Sequence, residues 1–241
     1  MKLNVFSLIF LCFSLFLFSC DVFDHDVVPT NKVTTIPETF SDYDGIDASS
    51  AFTVYLTISD DDESIEIEAN DNLHQYIEVK KENGVLIIGI ENNVSIKGNA
   101  TLNAYITTNS VSSFMGSGAS RFMLNQGISE EEISIYLSGA STFTGDINSG
   151  KLYADLSGAS TLSLSGYTLD YILEASGASV AKDFGFTSEL LNAELSGASR
   201  ASLTIDKEII IDASGASVLQ YKGDAVIVNQ DLSGASSIKK M

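Results

Sequence analysis

The sequence predicts an all-β protein whose C-terminal half is a β-solenoid. Three observations predict this fold class. The 241-residue chain is rich in Gly, Ser and β-branched residues but contains 2 Pro and no Trp, a composition typical of β proteins. The tetrapeptide Ser-Gly-Ala-Ser (SGAS) occurs seven times between residues 117 and 236. Apolar residues alternate with polar ones around the copies of this motif.

The N-terminus is expected to be a targeting segment. Residues 1–19 place Lys2 before a long apolar run, the pattern of a secretory signal peptide. The run ends in LFSC, which is similar to the lipobox of bacterial lipoproteins, so we predict that Cys20 is lipidated. A transmembrane anchor is the alternative for this run. Because Cys12 would leave with the signal peptide, Cys20 would stand alone, which excludes internal disulfides and cysteine metal clusters.

Acidic residues outnumber basic residues by 32 to 13, which gives a net charge of −19. This charge disfavours nucleic acid and bare anionic lipid as partners, because both are negatively charged. It suits cations, basic surfaces and solubility outside the cell. Contact with a membrane is therefore expected through the lipid anchor.

Two regions are predicted before the repeats. Residues 20–35 are polar and aperiodic and are expected to form a tether, and 36–110 are rich in strand patterns. Within this region, 52–59 and 64–69 alternate in polarity around the sequence SDDDES. This predicts a hairpin whose acidic tip, at 60–63, we interpret as a solvated turn because the spacing of an EF-hand is absent.

The rest of the strand-rich region contains three further elements. Strands are predicted at 78–81 and 85–90, which flank Asn-Gly at 83–84, the strongest short hairpin signal. Residues 70–77 are predicted to form one short helix, with its first Asn or Asp as the N-cap. The alternating pattern at 101–108 predicts another strand.

The SGAS copies dominate the last predicted region, residues 111–241. Their glycines are separated by 21, 19, 19, 20, 18 and 19 residues. A repeat of this length fits one rung of a β-solenoid, with rungs stacked ~4.8 Å apart. The positions two and four residues before each glycine, and four after it, are predicted to face inward because nearly all are apolar.

The motif itself is interpreted as architecture. The Gly-Ala pair would form a corner where no large side chain fits, and the serines would hydrogen-bond their copies in neighbouring rungs. A nucleophilic role for these serines is disfavoured, because a catalytic site is normally built once.

One outward position of the repeat is acidic in five consecutive copies. Three residues before the glycine stand, in order, Asp155, Glu174, Glu194, Asp212 and Asp231. Stacked ~4.8 Å apart, neighbouring carboxylates repel each other by roughly 0.9 kcal/mol per pair in water. Two interpretations stay open: a solvated stripe that prevents aggregation, or a site that binds Ca²⁺ or basic groups of a partner. No other cofactor is expected.

No catalytic residue set is apparent in the sequence. His25 and His74 stand outside hydrolase motifs such as HExxH and GxSxG. Solenoid polysaccharide lyases generally use a basic residue beside calcium, and the two arginines of the repeat, Arg121 and Arg200, would lie four rungs apart. We therefore expect a protein without enzyme activity, with a polysaccharide-degrading solenoid as a weaker alternative.

The order of these parts resembles a known family. The segments FSDYDGIDASSAFTVYLTIS (40–59) and SIEIEANDNLHQYIEVKKENGVLIIGI (64–90), followed by repeated SGAS, are together similar to the auto-transporter adhesin head GIN domain family. Its members are common as lipoproteins of Bacteroidetes. The resemblance covers about 36–238, and it implies a single-stranded right-handed β-helix-like fold, a role in adhesion and no established catalytic residue.

The anchor, the repeat and the resemblance together lead us to expect an outer-membrane lipoprotein of the cell envelope. Its solenoid would bind an extracellular glycan or a host or cell-surface protein. The alternatives are a periplasmic scaffolding lipoprotein and, more weakly, a polysaccharide-degrading enzyme. Whether the solenoid faces the medium or the periplasm stays open at this point.

Overall fold

A computed structural model of the chain describes residues 25–182 and 184–241. Its strands form one 18-stranded sheet, which winds into the solenoid, and a separate 2-stranded sheet. The predicted signal peptide and Cys20 lie outside the described residues. Within the described ranges, no helix has both the length and the apolar character needed to cross a bilayer.

The N-terminal part contains nine strands and one short helix. The strands are β1 His25–Val27, β2 Val33–Glu38, β3 Gly45–Ala48, β4 Thr53–Ile58, β5 Ser64–Asn70, β6 Ile77–Glu82, β7 Val85–Ile90, β8 Val94–Ile96 and β9 Leu102–Thr108. The helix is a 3₁₀ turn at His74–Tyr76.

The repeats contribute the remaining strands. They are β10 Ser113–Gly116, β11 Arg121–Leu124, β12 Ile128–Leu137, β13 Thr142–Leu156, β14 Thr161–Ala175, β15 Val180–Lys182, β16 Phe186–Leu195, β17 Arg200–Ala213, β18 Val218–Lys222, β19 Val226–Leu232 and β20 Ser237–Lys240.

Each rung of the solenoid pairs in parallel with the preceding rung. Between β13 and β14, for example, Phe143 lies beside Leu162 and Leu156 lies beside Ala175. All four side chains are buried in the core. The predicted solenoid, with about 7 turns spaced by ~19 residues, is confirmed. The inward orientation is confirmed in the first six copies of the motif, whereas Gln230 and Leu232 in the last copy are exposed.

The SGAS corner depends on its glycine in two ways. The φ angle lies between 61° and 72° at all seven motif glycines, a region that side chains disfavour. In addition, a Cβ on Gly177 would lie 2.5 Å from the carbonyl oxygen of Gly158 in the preceding rung. The prediction that no larger residue fits at this corner is confirmed.

The second serine of the motif is buried, but its usual partner is the backbone. The Oγ of Ser179 donates to the carbonyl oxygens of Ser176 at 2.8 Å and Leu156 at 3.3 Å. Among the described residues, one bond between motif serines, from Ser120 Oγ to Ser141 Oγ at 3.3 Å, matches the prediction. The predicted serine-to-serine ladder is otherwise wrong, because the hydroxyl instead adds a second donor to carbonyl oxygens that also accept a backbone N–H, as those of Leu156 and Ser176 do.

The N-terminal part supplies the first turn of the same solenoid. β3 pairs in parallel with β10, and β4 pairs in parallel with β11, so the two predicted regions share one sheet. In this register DASSAF (47–52) aligns with MGSGAS (115–120). Ser50 and Ala51 adopt positive φ angles of 57° and 64°. The first corner is therefore a degenerate copy of the motif, and it was not predicted from the sequence.

The predicted hairpin between 52–59 and 64–69 is wrong. β4 pairs in parallel with β9, and β5 pairs antiparallel with the other edge of β9. The acidic sequence at 60–63 is exposed and links two strands that are not neighbours. Alternation predicted the strands correctly, but it carries no information on which strand lies beside which.

Other expectations for this part were met to different degrees. The second hairpin, β6–β7, is confirmed. The short helix is a single 3₁₀ turn with Leu73 as its N-cap, so neither Asn70 nor Asp71 caps it. The side chain of Asn70 instead donates to Thr30 O at 2.6 Å and accepts from Thr101 N at 2.7 Å, which ties three chain segments together.

The structure also differs from the predicted tether at its described end. β1 pairs in parallel with β8, and β2 pairs antiparallel with β5. Residues 25–27 and 33–35 thus belong to sheets. With β5 and β9, β2 closes the N-terminal end of the solenoid by antiparallel pairing.

Candidate functional site

The five predicted acids form one column on the outer face of the strands that precede the corners. In register, Asp155 aligns with Glu174, Glu174 with Glu194, Glu194 with Asp212, and Asp212 with Asp231. Neighbouring members are therefore ~4.8 Å apart at the backbone. All five are exposed or half-buried. We call this set the acidic column.

No basic side chain neutralises the acidic column within the part of the chain that the structure describes. The ion pairs found there involve Lys32, Lys80, Lys97 and Lys207, with acids outside the column. Nor do three or more Asp, Glu, His or Cys side chains of the described ranges converge as ligands for one metal ion. The column is thus a line of like charges, and its binding of calcium stays a prediction.

Toward the first turn the acids of this column are replaced by an aromatic and an apolar residue before one more acid follows. Asp155 aligns with Tyr136, Tyr136 with Met115, and Met115 with Asp47. The ring of Tyr136 lies 5.4 Å from the ring of Tyr153, which stands on the same outer face. Aromatic rings and carboxylates therefore meet on one stretch of surface. Asp47 was not predicted from the sequence, because its turn lacks the motif glycine that set the register.

Partial burial shifts the ionisation of the groups at this junction. Burial, and then the charge of Glu174, raises the pKa of Asp155. Burial raises the pKa of Asp47. Burial, with a hydrogen bond to Glu174, raises the pKa of Tyr153 to about 12. All three shifts favour the neutral form, as expected where a surface is partly withdrawn from water.

Two shallow grooves run between this column and the first serine of each motif. One, of about 230 Å³, is lined by Asp47 and Tyr136 among others. The other, of about 250 Å³, is lined by Glu174, Glu194 and Asp212 together with the adjacent serines. Carboxylates accept hydrogen bonds and serine hydroxyls both donate and accept them. The grooves can therefore bind hydroxyl-rich or cationic groups along a line.

A larger concavity lies at the first corner, away from the acidic column. It measures about 460 Å³, and Ser50, Ala51, Ile90, Val94 and Leu102 are among the residues that line it. Its lining combines these aliphatic residues with polar ones such as Glu91 and Asn92.

Three solved structures are similar to the fold. A putative adhesin from Bacteroides fragilis is 19% identical, with a TM-score of 0.78, over 89% of this chain and 100% of its own. A putative lipid binding protein from Parabacteroides distasonis is 17% identical, with a TM-score of 0.73, over 90% and 99%. A putative adhesin from Parabacteroides merdae is 17% identical, with a TM-score of 0.69, over 90% and 99%. At these identities the likeness shows a shared fold.

Sequence comparison places the chain in a family. No curated protein matches it. A family model, however, matches residues 42–225, well over half of the chain. The resemblance expected from the ordered motifs is thereby confirmed, and this chain belongs to the family described as putative auto-transporter adhesin, head GIN domain.

Proposed function

We propose that the protein is a non-catalytic adhesin of the cell envelope, and that its acidic column binds an extracellular polymer or a cell-surface protein. One observation carries the proposal: the column stands in register on an outer face, with no basic partner among the described residues. Membership of the head GIN domain family supports the adhesive role.

The regular spacing of the solenoid suits a ligand that is itself repetitive. A contact repeated every ~4.8 Å along a rigid face lets several weak interactions act together, which raises the overall affinity. Carboxylates bind ammonium groups, sugar hydroxyls or calcium ions that bridge to a second anion. Tyr136 and Tyr153 add apolar contact area at one end.

The geometry supports binding in preference to catalysis. Paired catalytic carboxylates act in sites that exclude water and that separate their pKa values. Here the acids line shallow grooves on an open face. Because the repeat gives several of them similar surroundings, it provides no acid–base pair with clearly separated pKa values. A polysaccharide-degrading activity would predict turnover of a glycan polymer, which a screen of uronate polymers would detect.

The proposal is tested by neutralising the column without changing its shape. In one variant all five acids become the matching amide, Asp→Asn or Glu→Gln, and adhesion of protein-coated beads to cells and extracellular polymer is measured with and without calcium. We expect at least about a tenfold loss of binding. The control changes five acids elsewhere, at 60–63 and at Glu91, by the same rule. Equal binding by the two variants would refute a role for the column.

The cellular part of the proposal needs a separate test. An adhesin must be removed from intact cells by added protease and labelled by antibody against the solenoid. A periplasmic scaffold would be protected until the outer membrane is opened. Anchoring through Cys20 predicts that Cys20→Ser moves the protein out of the membrane fraction.

The concavity at the first corner favours a second candidate function, the binding of a single acyl chain. Its aliphatic lining, which includes Ile90, Val94 and Leu102, suits methylene groups, and one relative of similar fold is described as a lipid binding protein. A fluorescent fatty acid should then bind with about 1:1 stoichiometry, and Val94→Asp should abolish binding. Unaltered binding by that variant would exclude this cavity.

A further inference from the structure

The face that follows the SGAS corner has a different charge from the face that carries the acidic column. Two outward columns run along it. One contains Thr53, Arg121, Thr142, Thr161, Val180, Arg200, Val218 and Ser237. The other contains Tyr55, Met123, Thr144, Ser163 and Lys182, and further along Ser202, Gln220 and Lys239. Although the chain has 32 acidic residues, neither column contains one.

Three basic residues are concentrated toward one end of this face. Lys182 and Lys239 stand in the same column about three rungs apart, roughly 14 Å at ~4.8 Å per rung. Arg200 lies between them in the neighbouring column, beside Val180 and Val218. All three basic side chains are exposed. We call this set the basic patch.

Within the described residues, no acid neutralises the basic patch. None of its three members takes part in an ion pair found among the described residues. At its rim, the ammonium group of Lys222 lies 4.4 Å from the centroid of the Phe184 ring. A cation–π contact of this kind orients the ammonium group but leaves its charge in place.

The side chains between the charges indicate what kind of anion fits. Ser202, Gln220 and Ser237 place hydroxyl and amide groups among the basic residues, and such groups hydrogen-bond sugar hydroxyls. From Thr142 to Lys239 the two columns contain no aromatic residue, and the ring of Phe184 at the rim faces the ammonium group of Lys222, so the columns offer no row of rings on which successive nucleic-acid bases could stack. Arginine and lysine both bind sulfate-like oxyanions through charge-assisted hydrogen bonds.

We propose that the basic patch binds a linear sulfated polysaccharide that lies along the solenoid axis. The strongly negative net charge does not oppose this, because at physiological salt charges are screened beyond about 8 Å and the acidic column lies around the corner on another face. This inference goes beyond the proposed function, since it concerns a different face and a ligand of opposite charge.

The test uses the full chain and immobilised dextran sulfate, with neutral dextran as the reference polymer. We expect binding to dextran sulfate alone, weakening as sodium chloride rises. The triple variant Lys182→Gln, Arg200→Gln, Lys239→Gln should bind at least about tenfold more weakly. A second triple variant, Lys32→Gln, Lys80→Gln, Lys97→Gln, has the same net charge and should bind like the unchanged protein. Thermal melting of both variants verifies folding.

Several results would overturn the proposal. Equal weakening in both triple variants would mean that net charge alone is sensed. Equal binding of single-stranded DNA would remove the assignment to a polysaccharide. Absence of dextran sulfate binding, with sedimentation showing self-association that the basic-patch variant loses, would assign the patch to the acidic column of a second copy. The variant with a neutralised acidic column should still bind dextran sulfate, which separates this inference from the proposed function.

Discussion

The first turn and the later turns of the solenoid form the same corner from different residues. In a later turn the corner stacks on another corner, and the carbonyl oxygen of Gly158 would lie 2.5 Å from a Cβ at Gly177. In the first turn Ser50 takes the place of the glycine, with φ of 57°, and it borders the concavity of about 460 Å³ rather than a preceding corner. Glycine is therefore required by stacking as much as by backbone angle.

The last position of the corner shows the same contrast. In most later turns a buried serine donates a second hydrogen bond to carbonyl oxygens of its own corner and of the preceding rung, as Ser179 does with Ser176 and Leu156. In the first turn this position is Phe52, which is fully buried. The preceding strand still supplies a carbonyl oxygen there, that of Ile88, and it is bonded by Ser49 N at 3.0 Å without a side-chain hydroxyl. SGAS is thus a motif for stacking, and its end member is free to depart from it.

The largest expected effect tests the stacking requirement directly. Gly177→Ala should destabilise the fold by more than about 3 kcal/mol, because it combines an unfavourable φ with overlap against a backbone oxygen. Gly118→Ala should cost about 1–2 kcal/mol, because its Cβ would lie 3.2 Å from Ser50 N, a looser contact. Urea denaturation measures both. Equal losses of stability would show that φ alone requires glycine.

A smaller effect distinguishes motif serines by their hydrogen bonds. Ser179→Ala removes a second donor to two carbonyl oxygens that keep their backbone N–H bonds, and it should cost about 1 kcal/mol. Ser199 occupies the equivalent position, but its Oγ is buried without a partner among the described residues. Ser199→Ala should therefore be neutral or slightly stabilising. If both alanine variants lost the same stability, packing rather than hydrogen bonding would explain the buried serines.

The repeats were predictable from sequence because each position occurs seven times. The period, the inward positions and the acidic column all follow from counting residues from the motif glycine. The first turn was not predictable in this way, since Ser49–Phe52 contains no glycine and its partners lie about 70 residues away. The wrong hairpin has the same cause: β9 matches β5 as well as β4, and local alternation cannot choose between such partners.

The candidate site was predictable only as far as the repeat extends. The alignment of Asp155 to Asp231 followed from the register, whereas the addition of Asp47 needed the pairing of β3 with β10. The basic patch was hidden for a different reason. The net charge of the whole chain does not show how charges are distributed among the faces of the solenoid. The alternation of side chains along each strand and the register between strands must both be known before Lys182, Arg200 and Lys239 can be placed on one surface without acids.

The smallest expected effect compares one acid in the first turn with one in the repeats. Burial raises the pKa of Asp47, and burial together with the charge of Glu174 raises the pKa of Asp155. A raised pKa means that folding favours the protonated acid, so at pH 7 each ionised carboxylate opposes folding slightly. Asp47→Asn and Asp155→Asn should therefore raise the stability at pH 7, by less than about 1 kcal/mol because solvent screens both sites.

The pH dependence separates the two acids. As pH falls through the raised pKa and then below the ordinary aspartate range, the unchanged protein regains its lost stability, so the advantage of each asparagine variant should vanish there. In a Glu174→Gln background the advantage of Asp155→Asn should shrink, while that of Asp47→Asn should not change, because only Asp155 is repelled by Glu174. Thermal melts from pH 3 to pH 8 measure all of these differences. An advantage of Asp155→Asn that depends on pH but not on Glu174 would mean that water fully screens the repulsion within the acidic column, and an advantage independent of pH would mean that the ionisation of Asp155 is not its cause.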